Sequence, residues 1–172
     1  MNNKTMLAIA ILGLAALSNS QKAIGPFLGS NTEGFEKFKP GITSVLSIFN
    51  DTAVADATKL AVNQNAAILP AYAGTKSVFG DGADIDLIWN GCISQFGAYF
   101  RAAKSGVTSF RIDCYDWYNT YVGSATASIS GTSWGWRGWS FPATWLVYKI
   151  KVISLAKTPG YIAIDNATCD WL

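Results

Sequence analysis

The sequence predicts an α+β fold, with helices in its first half and strands in its second. Three observations carry this. Apolar residues recur at three- and four-residue spacing from Ile42 to Ala61 and again from Ile85 to Ala103, then at two-residue spacing from Phe110 onward. Gly106 stands between the two patterns, where a glycine ends a helix well. Half of the 172 residues are apolar and 14% are charged, which suits one packed core and excludes disorder.

The elements follow in order. Lys4 precedes a 12-residue apolar run, Met6 to Leu17, with small residues at Ser18 and Ser20. That is the grammar of a signal peptide over residues 1–20, and the run is too short to span a bilayer, which takes ~20 residues. Residues 21–172 then form a single secreted or periplasmic domain. Glu33 to Asn50 reads as a helix with Ile42, Val45, Leu46 and Phe49 on one face. Asp51 or Thr52 caps a second helix reaching Asn63. Ala66–Leu69 and Ser77–Phe79 read as two short strands. A third helix starts at Asp81 or Asp84 and carries Ile85, Ile88, Trp89, Cys92, Phe96, Tyr99, Phe100 and Ala103 as an apolar stripe. Strands are expected at Phe110–Cys114, Tyr121–Ser130, Trp145–Ile153 and Tyr161–Trp171, with a Gly- and Trp-rich loop over Gly131–Gly138 and a turn at Thr158-Pro159-Gly160.

The chemistry is bounded mostly by exclusion. There is no histidine, which removes the commonest general base and nearly all zinc and copper sites. The net charge of +2 gives no footprint for nucleic acid. No cofactor and no metal is expected. Cys92, Cys114 and Cys169 permit one disulfide and one odd thiol, or three buried thiols. Asn50-Asp-Thr and Asn166-Ala-Thr are glycosylation sequons. Asp81, Asp84 and Asp86 have neither the spacing nor the closing Glu of an EF-hand loop, and helix capping accounts for the first two.

Two groups of residues are candidates for function. Asp113 and Asp165 are acids on expected strands, and a carboxylate beside aromatics can serve as acid or base. Trp134, Trp136 and Trp139 in the glycine-rich loop, with Trp89, Tyr115 and Trp117, are candidate ligand contacts, since amphipathic rings stack on ligands or bury in interfaces.

The stretches SVLSIFNDTAVADATKLAVNQNAAILP, VFGDGADIDLIW, SGVTSFRI and WLVYKIKVISLAKTPGYIAIDNATCDW resemble, in that order, the nuclear-transport-factor-2-like superfamily, in its SnoaL-like and ketosteroid-isomerase-like branches. The resemblance implies a cone-shaped curved antiparallel sheet wrapped around about three N-terminal helices, a pocket at the cone mouth, and a homodimer formed through the sheet. It also implies that isomerase chemistry is lost. The base position falls on Leu69, the oxyanion tyrosine on Val45, and the second acid near Thr144 or Trp145. The expected function is therefore a non-catalytic extracytoplasmic domain binding a small apolar ligand or a protein partner through an aromatic-lined cone. Two alternatives stand beside it: an isomerase, cyclase or hydratase with a relocated Asp, and an extracellular assembly subunit.

Overall fold

The computed structural model describes residues 20–65, 69, 71–80, 84–102, 107, 109–129, 131–156 and 162–172. The expected signal peptide, Gly106, Asp81 and the Thr158-Pro159-Gly160 turn lie outside these, apart from Ser20. Eleven strands follow one another among the described residues: β1 (Lys22–Ile24), β2 (Asn31–Glu33), β3 (Gly41–Ile48), β4 (Ala53–Asn63), β5 (Ser77–Gly80), β6 (Ile85–Ala102), β7 (Ser109–Asp116), β8 (Tyr121–Ser128), β9 (Gly135–Ser140), β10 (Val147–Ser154) and β11 (Ile162–Trp171). The helical content among them is a single 3-10 turn, Ala143–Trp145.

The three expected helices are thus strands β3, β4 and β6, and the α+β assignment is wrong. With them go the nuclear-transport-factor-2-like resemblance, the cone and its mouth pocket. The fold is an all-β antiparallel sandwich. The second-half strands stand where expected, with two changes. The Gly- and Trp-rich segment contributes strand β9, and Trp145 lies in the 3-10 turn ahead of β10.

Bulges explain the helical spacing. In β4, Ala53, Ala55 and Ala57 are buried in strict alternation, but Leu60, Ala61 and Val62 follow in a different phase. The register with β3 shifts between Thr43 and Val45, which leaves extra residues on β4 at the change of phase. A bulge moves later side chains onto the opposite face. Two strand patterns out of phase then imitate a three- and four-residue repeat. β6 does the same on a larger scale. Ile85, Leu87, Trp89 and Ile93 point inward, then Phe96, Ala98, Phe100 and Ala102, with a register shift against β11 between Ile93 and Gln95.

That shift is where β6 leaves one layer for the other. The first layer is ordered β3-β4-β6-β10-β7-β8, and the second β2-β11-β6-β9-β1. Ile85 to Ile93 pairs with β10, and within it Asp86 to Trp89 with β4; Gln95 to Phe100 sits between β11 and β9. β5 bridges β4 and β11. Between the layers, Phe100 meets Phe110 at 4.5 Å, Trp89 meets Phe96 at 5.6 Å, and Trp139 lies within 6.4 Å of Phe96, Phe100 and Phe110. Burying each such ring contributes about 1.5–3 kcal/mol.

Candidate functional site

The outer faces of the two layers differ. The second layer is covered by its own chain. The Tyr72 ring stacks on Tyr99 of β6 at 3.4 Å, and Trp136 of β9 meets Tyr99 edge-on at 5.4 Å. Phe27 packs against Trp136 at 5.9 Å, and the Gly29 amide donates to the Thr168 hydroxyl of β11. Trp136 lies across Gly97, where any side chain would collide with its ring, and its indole N–H donates to the Ile24 carbonyl at 3.1 Å. Glu36 fixes the covering loop by accepting the amides of Thr75 and Lys76. These aromatics form a small second core.

Asp165 anchors that cover. Its side chain is fully buried and accepts the amides of Tyr72 (2.7 Å), Ala73 (3.1 Å) and Asn166 (2.7 Å). Burial pushes its carboxyl up to about 6, against the opposing pull of the three amides. The folded protein therefore holds a proton that the unfolded chain, near 3.8, has released. That contribution to stability is complete below about pH 4 and is lost as pH rises to about 6, a change on the order of 2–3 kcal/mol. Melting curves of the wild type from pH 4 to 7 should show this decline, and Asp165→Asn should lack it. Equal slopes for the two proteins would exclude Asp165 as its source.

The first layer's outer face is covered by no described segment. Two rows cross its strands side by side. One row is Val54, Ile88, Lys149, Tyr115 and Tyr121, from β4 through β6, β10 and β7 to β8. Tyr121 is 55% exposed, the Lys149 ammonium lies 4.3 Å from the Tyr115 ring centre, and Tyr115 meets Tyr121 edge-on at 6.0 Å. Tyr148, in the β10 bulge, packs against Trp117 at 4.7 Å and lines a shallow depression with Thr52, Val54, Ile88 and Asn90. Trp117 is 54% exposed on the β7–β8 turn. The Asp116 carboxylate holds that turn by accepting the amides of Tyr118 and Thr120.

The neighbouring row is Asp56, Asp86, Lys151, Asp113 and Ser124. Arg111 grips Asp113 with two contacts, at 2.8 and 2.9 Å, and that hydrogen bond raises the already high guanidinium pKa further. Lys151 pairs with Asp84 at 3.5 Å. Burial raises the Asp86 carboxyl, with Lys149 and Lys151 opposing. Five strands at ~4.8 Å spacing make each row about 19 Å long. The arrangement sets ring faces and fixed hydrogen-bonding groups along one shallow surface.

The candidate residues separate cleanly. Tyr115 and Trp117 lie together on the open face. Trp89 and Trp139 are core, at 1% and 4% exposure. Trp136 belongs to the covered face, and Trp134 is half-buried at one end of the sandwich beside Phe100, Ile129 and Arg137. Asp113 is tied into an ion pair and Asp165 is sealed under its loop, so both carboxylates have structural partners. Asp84 precedes a strand and caps no helix. Among the described residues no group of three or more His, Cys, Asp or Glu is placed to hold a metal ion. The three cysteines are free thiols, and burial pushes Cys114 up to about 12 and Cys169 up to about 11, so both stay protonated and inert. No described helix is long and apolar enough to cross a membrane. Tyr121, Tyr148, Lys149, Asp56 and Lys151 are surface residues that sequence reading missed. The signal for Tyr121 was present: a turn at Tyr118-Asn119-Thr120 places it across from Tyr115.

No protein-family model matches the chain, and no curated protein matches it in sequence. Solved structures do match in fold. The K2 cleaved adhesin domain of Lys-gingipain aligns with a TM-score of 0.52 at 15% identity, over 80% of this chain and 97% of that one. A DUF4465 family protein from Bacteroides caccae aligns at 0.51 and 12% identity, over 86% and 98%. The carbohydrate-binding module TmCBM61, solved with β-1,4-galactotriose, aligns at 0.49 and 14% identity, over 70% and 88%. What this chain has in common with the first two is the fold, an antiparallel β-sandwich.

Proposed function

We propose that this chain is a secreted or cell-surface, non-catalytic module that binds carbohydrate on the outer face of its first layer. One observation carries the reading: exposed aromatic rings and a row of fixed charged groups lie side by side on the sheet face that the chain leaves uncovered. A sugar ring has an apolar face and a rim of hydroxyls. Tyr121, Tyr115 and Trp117 offer surfaces for the former. Asp56, Asp86 and Lys151 offer charged hydrogen-bond partners for the latter, which are stronger than neutral ones. The exposed rings also argue for use, since large apolar groups in contact are rarely left in water without a binding role. The apolar run Met6–Leu17 supports export. The same sandwich in an adhesin domain fits an extracellular setting.

The test is binding of purified domain to a panel of soluble polysaccharides, followed by Trp117→Ala and Tyr121→Ala. Each ring contributes about 0.5–1.5 kcal/mol, so each variant should lose roughly three- to tenfold in affinity with an unchanged melting temperature. A domain that ignores every glycan overturns the reading. So does one that binds a glycan equally well without both rings. A second reading has its own observation: Trp117, Tyr118 and Tyr121 are 54%, 84% and 55% exposed at one sheet corner, a patch suited to an extracellular protein partner.

A further inference from the structure

A sandwich of two open layers has four edges, and an edge strand offers unpaired N–H and C=O groups to any strand that fits. Three edges here are short or blocked. β1 and β2 are three residues each and carry Lys22 and Glu33. β8 is long, but the Ser124 carbonyl accepts from the Gln21 side chain and the Ser128 carbonyl accepts from the Arg137 guanidinium, at 3.0 Å from Nε. β3 is different. Among the described residues it pairs with β4 alone, and its eight residues, GITSVLSI, contain no charge and no proline. Among the described residues, the side-chain bond made to its backbone is its own, from the Thr43 hydroxyl to the Val45 carbonyl. Ile42 is 71% exposed and Val45 47%, so apolar side chains accompany the free backbone groups.

We propose that β3 pairs antiparallel with β3 of a second copy of this chain, giving a closed dimer. The occupant follows from charge and from count. An uncharged strand meets no like charge when it meets itself, whereas a charged edge would be repelled by its own copy. Among the described residues no second long free edge remains, so the contact is the same patch on both subunits and closes after two, without growing into a filament. The twofold axis of such a pairing is perpendicular to the sheet. The six strands of the first layer then continue into six more, and the outer faces of both first layers look to the same side.

The experiment is sedimentation of the purified chain across a concentration series, with amide exchange read in parallel. The wild type should pass from monomer to dimer, and the amides of Gly41 to Ile48 should exchange more slowly as concentration rises. Val45→Lys and Val45→Glu each place like charges near the twofold and should weaken the dimer at least tenfold, with the melting point of the monomer unchanged. Mixing the two variants should restore it as a heterodimer, which an unrelated contact surface would not do. A wild type that stays monomeric at its highest soluble concentration overturns the proposal. So does a dimer indifferent to both charges, or an assembly that keeps growing beyond two.

Discussion

Trp139→Ala should cost about 3–5 kcal/mol, the range for removing a large aromatic ring from a packed core. The indole sits at the centre of the sandwich, 4% exposed, with Phe96, Phe100 and Phe110 around it at 6.4, 6.0 and 6.2 Å. These rings come from β6 and β7, in different layers, so the cavity would open where the layers are clamped together. For a domain of this size the melting temperature should fall by about 10 °C or more. Trp117→Ala, on the open face, is the matched control and should leave it within a degree or two. Equal losses from both variants would mean that the rings are not divided between core and surface as the exposures require.

Glu33→Ala should be almost as damaging, although it removes no apolar surface. The Glu33 carboxylate is buried at 6% exposure and accepts the amides of Phe35 and Phe49, both at 3.0 Å. Both of those residues have left-handed backbones, with φ of 60° and 51°, and both rings are buried. One side chain thus stabilises two costly backbone positions and joins β2 to the β3–β4 turn. Without it two buried N–H groups lack acceptors, at about 1–3 kcal/mol each. Lys37, 3.1 Å from the carboxylate, would also lose its partner. Glu33→Gln keeps one acceptor oxygen and should recover roughly half of the loss in chemical denaturation. Full recovery by Gln would show that a single amide is held there.

The strands that sequence reading places well are those with an unbroken period of two. Phe110, Ile112 and Cys114 are buried in β7 and Val147, Ile150 and Val152 in β10, close to the alternation the letters show. β4 and β6 were misread because each changes phase at a bulge, and periodicity cannot tell a phase-shifted strand from a helix. Composition held the correcting signal. β6 has Ile85, Ile88, Ile93, Trp89, Phe96, Tyr99 and Phe100 with Gly91 and Gly97 inside, a poor mixture for a helix and a good one for a strand. The surface was half legible for a related reason. Tyr115 and Trp117 stand out as aromatics among polar neighbours. Lys149 and Tyr148 join them through the β10 register, which shifts between Val147 and Lys149 and is invisible without the pairing.

The place of β11 sets the order in which the molecule can assemble. This last strand runs through the interior of the second layer, pairing with β6 on one flank and with β2 and β5 on the other. Asn31 to Glu33 find their partners only at Ala167 to Cys169. Until β11 is available, β2 has nothing to pair with and the second layer has a gap down its middle. Closing so long a loop delays the productive transition state. During synthesis β2 must wait unpaired until almost the whole domain has been made. The second layer stays incomplete for as long as β11 is withheld. Both layers become rigid together only when this final strand slides between β6 and the β2 and β5 strands.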